Sequence, residues 1–177
     1  MGYQEGQWHA KAWYSQVGMP RAIADWVLEP KSLTQRLRAC AQQSFNVNVR
    51  RQMIAKGRPA EVRALALKPD AYVRIREVEL WVDGEPRVFA RTILPLQTCQ
   101  GEGKALLRLG NRPLGELLFN DSRTYRGPIQ WTQLYPHHRL FQQAVCCLSV
   151  APAQLWARRS VFYFVGKPLL VTEVFLF

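Results

Sequence analysis

Cysteine is scarce in these 177 residues, and acidic side chains are outnumbered. Four thiols, Cys40, Cys99 and the adjacent Cys146 and Cys147, form neither a paired framework nor the two-residue knuckles of a zinc site. They are expected to be reduced thiols of a cytoplasmic protein. No apolar run approaches the ~20 residues needed to cross a bilayer. The first twenty residues carry Glu5, His9 and Lys11 where a secretion signal needs an unbroken apolar stretch. His9, His137 and His138 lack metal-ligand spacing, and no serine sits in a Gly-x-Ser-x-Gly elbow, which argues against metalloenzyme and serine hydrolase chemistry. Gly101-Glu102-Gly103-Lys104 is too short to cradle a phosphate and reads as a turn into a helix.

What is present is a chain built to bury apolar surface: 48% of its residues are hydrophobic and 11% aromatic. At this length about 70% of the unfolded surface can be hidden in one domain. Lys and Arg number 24 against 13 Asp and Glu, a net charge of +11 that attracts anions without naming one. No concentrated basic stripe or recognised nucleic-acid motif accompanies it, so no nucleic-acid partner is expected.

Along the chain the hydrophobic period changes twice. Residues 1–20 read as a polar and aromatic leader, and 21–177 as the folded domain. Arg21 to Leu28 is predicted helical, ended by Pro30. Ser32 with Gln35 makes a capping box for a second helix bearing Leu33, Leu37 and Cys40 on one side. From Phe45 the period becomes two, predicting strands over Phe45–Ile54, Tyr72–Val82, Val88–Leu94, Ile129–Tyr135, Trp156–Val165 and Leu169–Phe177. Asp83-Gly84 predicts a hairpin, and Gly166-Lys167-Pro168 a second tight turn. Short helices are expected over Ala60–Leu67, Lys104–Leu109, Leu114–Phe119 and Arg139–Cys147. The pattern predicts an α+β fold: a single antiparallel β-sheet with short helices packed on one side.

Two charged residues break the apolar parity of these strands. Glu173 shares a face with Leu169, Val171, Phe175 and Phe177. A carboxylate buried there needs a cation, since burying it unpaired costs several kcal/mol; the alternative is a solvated glutamate on an edge strand. Arg76 shares a face with Val78, Leu80 and Val82, while Glu77 and Glu79 point to the other side. Its planar fork suits a carboxylate, although a direct Arg76–Glu173 salt bridge would serve structure alone. Arg91 and Arg158 are secondary anion-binding candidates; each taken singly is equally a solvated strand residue.

Separate segments, in uninterrupted order over about residues 22–177, together resemble the chorismate pyruvate-lyase family. They are Glu77-Val78 through Asp83-Gly84-Glu85-Pro86 to Ala90-Arg91-Thr92, then Pro113-Leu114-Gly115-Glu116, Trp156-Ala157-Arg158-Arg159-Ser160, and Gly166-Lys167-Pro168-Leu169-Leu170-Val171-Thr172-Glu173. The resemblance implies helices that enclose a ligand pocket against the sheet. It implies cofactor-independent cleavage of chorismate to 4-hydroxybenzoate and pyruvate, on the route to ubiquinone. By position it implies Leu33, Arg76, Leu114 and Glu173 as substrate-contacting residues, with Arg76 and Glu173 catalytic. Leu33 stands where a methionine is expected, and Ala90 where a glycine precedes the arginine. A monomer that binds no metal is expected. The competing expectation is a non-catalytic, effector-sensing domain of similar fold that binds a small carboxylate.

Overall fold

Alternating apolar residues set the frame, and two tight turns set its register. The computed structural model describes residues 4–10 and 18–177. Strands β3 (Tyr72–Val82) and β4 (Glu85–Pro95) meet at Asp83 and Gly84, whose φ angles of 51° and 82° are those of a type I′ turn. The Asp83 carboxylate also accepts the backbone N–H groups of Gln42, Gln43 and Ser44 at 2.9, 2.7 and 2.8 Å. These bonds hold its pKa below the usual carboxylate range and pin the hairpin to the chain entering β2 (Phe45–Lys56). Strands β7 (Leu155–Phe164) and β8 (Lys167–Phe175) meet at Val165 and Gly166, again with positive φ. That turn falls one residue earlier than expected. Lys167 already pairs with Phe164, and Pro168 sits near the start of its strand, where its missing N–H is tolerated.

With β1 (His9–Ala10), β5 (Tyr125–Arg126) and β6 (Gln130–Leu134), these strands make one eight-stranded antiparallel sheet. Its order is β1-β6-β7-β8-β4-β3-β2, and β5 pairs with β7. The leader expected over residues 1–20 is in part a piece of this sheet: His9 pairs with Trp131, and Gln4 bridges His138. Residues 1–3 and 11–17 of that leader lie outside the described residues.

The α+β class and single antiparallel sheet are as expected; the helices differ in one respect. Helices α1 (Arg21–Val27), α2 (Leu33–Cys40) and α4 (Leu114–Asn120) cover the face that carries Arg76. There Val27, Leu33 and Leu37 pack on Val78, Leu80 and Trp156, and Leu118 packs with Phe162 and Leu169. Helices α3 (Pro59–Ala64) and α5 (Arg139–Ala144) lie on the reverse face, where Phe141 and Ala144 meet Phe89, Ala157 and Val174. Both faces are therefore covered, the reverse one burying the charged Glu77, Glu79 and Arg91 along with apolar side chains.

Local departures have local causes. Gly101–Arg108 forms a 3-10 segment where an α-helix was expected over Lys104–Leu109. Cys40, expected on the buried side of α2, is the last residue of that helix and is exposed. Ser32 does cap α2, its Oγ accepting the Gln35 N–H at 3.4 Å.

Candidate functional site

Residues 76, 78 and 80 on β3 alternate toward the helices α2 and α4. The register carries the same face through Ala90 and Thr92 to Val171 and Glu173, and then to Arg158, Ser160 and Phe162. Between this surface and the two helices lies a cavity of about 50 Å³. Its walls include Leu33, Leu114, Val78 and Phe162, with Arg76 and Glu173 as the charged members. The helices approach closely because of Gly115: a Cβ there would lie 2.9 Å from Thr34 Oγ1. A larger, open cleft of about 910 Å³ runs outside α4, but Arg123 is paired there with Glu102 and Asp121. It lacks the apolar enclosure that small-ligand sites provide.

Arg76 is 4% exposed. One terminal nitrogen, Nη2, donates to the carbonyls of Gly110 and Arg112 at 2.8 and 3.4 Å. Neither Nε nor Nη1 has a hydrogen-bond partner among the described residues, and no carboxylate pairs with it. Burial lowers its pKa because the cation is removed from water with no anion in exchange. The salt bridge to Glu173 that would have made Arg76 purely structural is absent.

Glu173 has another partner. Across β7 and β8, Arg158 Nε donates to Glu173 Oε2 at 2.5 Å. The Arg158 side chain is 1% exposed and that of Glu173 16%. Arg158 Nη1 also donates to the carbonyls of Glu29 and Trp26, at 2.6 and 3.2 Å, where a cation complements the carbonyl end of α1. Arg158 therefore stands on the cavity face but is occupied by Glu173 and the chain leaving α1.

Arg91 requires a correction as an anion-binding candidate beside Arg76. Odd-numbered residues of β4 face the reverse side, and there Arg91 binds Glu61 at 2.6 and 3.1 Å and Glu77 at 2.5 Å. Burial disfavours its charge, but the two carboxylates outweigh that and raise its pKa. It has no free fork and no access to the cavity.

One residue escaped the sequence reading. Arg126, on the two-residue strand β5, lies opposite Phe162 and therefore joins the cavity face. Its Nε donates to Ser160 Oγ at 3.1 Å and its Nη1 to the Pro30 carbonyl at 3.1 Å. Burial, then the like charge of Arg158, push its pKa down to about 10. A two-residue strand has no period to show which way its side chains face, so no sequence signal marked it.

An antiparallel sheet roofed by short helices, with an enclosed cavity lined by an unpaired buried guanidinium, defines an α+β domain with a small-molecule cavity. Solved structures share this fold at low identity. The effector domain of PhnF from Mycobacterium smegmatis superposes with a TM-score of 0.59 at 16% identity, covering 82% of this chain and 88% of that one. The ligand-binding domain of a putative GntR-family regulator from Bordetella bronchiseptica gives 0.52 at 19%, covering 75% and 83%. Sequence narrows the class. The chorismate lyase family model matches residues 7–177. A probable chorismate pyruvate-lyase of Nitrosomonas eutropha is 38% identical, covering 93% of both chains. One from Thiobacillus denitrificans is 42% identical over 89% of this chain and 83% of its own, and one from Methylococcus capsulatus is 42% identical over 87% and 94%. The chain belongs to the chorismate lyase family.

Proposed function

We propose that the protein is a cytoplasmic, monomeric lyase that converts chorismate to 4-hydroxybenzoate and pyruvate without a cofactor, supplying the aromatic ring of ubiquinone. Family membership supports the reaction class; the observation that carries the ligand is Arg76, a buried cation lining an enclosed cavity with no acid to neutralise it. Chorismate brings two carboxylates, an enolpyruvyl ether and a hydroxyl on a ring that becomes aromatic when the ether leaves. The hydroxyl-bearing carbon loses its hydrogen, the neighbouring carbon–oxygen bond breaks, and the departing enolpyruvate is protonated at its methylene carbon to give pyruvate. Because aromaticity drives the step, the protein's work is to orient the ring and stabilise charge on the leaving group.

In this reading Arg76 takes the ring carboxylate through its free Nε and Nη1. Glu173, held by Arg158, accepts the ring hydroxyl and orders the carbon that loses its proton. Leu33 and Leu114 close over the ring and exclude water. Chorismate is too large for the cavity as it stands, so α2 and α4 move to admit it, and the same movement releases product.

The deciding experiment incubates the purified protein with chorismate in the presence of EDTA and follows 4-hydroxybenzoate and pyruvate. Their formation in equal amounts at a rate proportional to protein is the expected result. Chorismate left intact overturns the proposal, and binding of chorismate without turnover returns the fold to an effector-sensing role.

A further inference from the structure

Chorismate is a dianion, whereas the lining of the cavity offers it one uncommitted cation, Arg76, beside one carboxylate, Glu173. A second carboxylate brought near Glu173 without its own cation would be repelled. Resting on the lyase reading, we propose that Arg126 is the second anchor and binds the enolpyruvyl carboxylate.

The buried and half-buried arginines can be sorted by face and partner. Arg58, Arg91 and Arg159 belong to the reverse face: Arg91 is taken by Glu61 and Glu77, Arg58 bonds Gln143, and Arg159 bonds Gln130. Arg158 is taken by Glu173. Arg74 lies one pleat beyond Arg76, within electrostatic reach of Cys99 and outside the cavity lining. Arg126 is different. Its guanidinium lies 5.2 Å from the centre of the Phe162 ring, a wall of the cavity, and its hydrogen bonds go only to neutral oxygens, those of Ser160, Pro30 and, at 3.5 Å, Glu29. Its Nη2 has no partner among the described residues. Arg126 and Arg158 repel one another there, and of the two acids within reach Glu173 is paired with Arg158 and Glu29 with Arg36, so the charge of Arg126 is left over and a further anion is electrostatically favoured.

The placement matches the connectivity of the substrate. Across the sheet the order β3, β4, β8, β7, β5 puts Arg76 on one side of Glu173 and Arg126 on the other, four strand spacings or about 19 Å apart at the backbone. In chorismate the hydroxyl is para to the ring carboxylate and the ether is on the carbon next to the hydroxyl. A ring anchored at Arg76 with its hydroxyl at Glu173 therefore carries the ether carboxylate to one side of the Arg76–Glu173 line, and Arg126 lies to one side of it: level with Arg76 on β7 is Ser160, with Glu173 opposite Arg158 two residues one way and Arg126 opposite Phe162 two residues the other. The free Nη2 receives it while Nη1 keeps the Pro30 carbonyl, so the leaving-group carboxylate is held against the loop between α1 and α2. As bonds break, charge builds on the enolpyruvate, and Arg126 stabilises it.

The product 4-hydroxybenzoate retains the ring carboxylate and lacks the other, and this supplies the test. Arg126→Gln and Arg126→Lys are compared with the unsubstituted protein for kcat and KM with chorismate and for Ki of 4-hydroxybenzoate. The expected result is a fall of at least 30-fold in kcat/KM for Arg126→Gln, with Ki for 4-hydroxybenzoate within about twofold and partial recovery in Arg126→Lys. An unchanged kcat/KM overturns the proposal. So does an equal loss of affinity for both compounds, which identifies Arg126 as a structural strut. Failure of the unsubstituted protein to form 4-hydroxybenzoate is a separate result that sinks the lyase reading; the dissociation constants of chorismate and 4-hydroxybenzoate, measured by calorimetry, then judge Arg126 by the same ratio.

Discussion

Arg158 and Glu173 face each other across β7 and β8 at 2.5 Å, and the same guanidinium binds the carbonyls of Trp26 and Glu29. One side chain thus fixes the acid of the cavity and the roof above it. Arg158→Ala leaves a carboxylate on the apolar face without its cation and frees the end of α1. Breaking such a buried pair costs about 3–5 kcal/mol, and for a chain of this length Tm should fall by roughly 10 °C. Chemical denaturation and thermal melting measure it; a Tm within 2 °C of the parent would show that the pair contributes little.

The roles proposed for Arg76 and Glu173 predict different kinetic losses. Arg76→Ala removes the cation proposed to hold the ring carboxylate, so KM should rise and kcat fall together, with at least 100-fold lost in kcat/KM. Glu173→Gln keeps the shape and a hydrogen-bonding oxygen while removing the charge; 4-hydroxybenzoate should still bind within a few-fold while kcat drops by at least tenfold. Steady-state kinetics with product inhibition measure both. Full turnover in Glu173→Gln would remove the acid from the mechanism.

Arg91 provides the contrasting case on the reverse face. Arg91→Ala strands Glu61 and Glu77 in a buried setting, with an expected loss of about 3–5 kcal/mol. Its kcat/KM for chorismate at 20 °C, below its melting transition, should stay within threefold of the parent. A large kinetic loss at full stability would place Arg91 in the site after all.

Asp83 predicts an acid limb to the stability. Three backbone N–H groups depress its pKa in the folded state, so the unfolded chain takes up its proton first as the pH falls. Its contribution is complete above the ordinary carboxylate pKa near 4, and is lost as the pH falls through the lower folded value. Asp83→Asn preserves a good type I′ turn residue but removes the charge. The variant should melt below the parent at pH 7, and the gap should close toward pH 2. A gap independent of pH would assign the effect to the turn instead.

The strands were legible because their alternation is local: Tyr72–Val82 has the expected limits, and parity alone placed Arg76 with Val78 and Leu80. The same parity put Arg91 on the opposite side, and only pairing with Glu61 on α3, thirty residues upstream, showed that its charge was spent there. Glu173 read either as a buried acid needing a cation or as a solvated residue of an edge strand; what decided was the β7–β8 register, which brings Arg158 and not its neighbour Arg159 opposite it. Helices were expected near α3 and α5, but that they cover the reverse face was missed, because six residues each carry too little pattern to show what they cover.

Arg76 also binds the carbonyls of Gly110 and Arg112 just before α4, as Arg126 binds that of Pro30 just before α2. Each cation proposed for the ligand is thus already a tether on the lid above it. A guanidinium shared between ligand and lid links occupancy to lid position, and linkage is reciprocal: the factor by which lid opening weakens product binding is the factor by which bound product disfavours opening. Affinity for 4-hydroxybenzoate and the equilibrium position of the lid would then be one property of this protein measured in two ways.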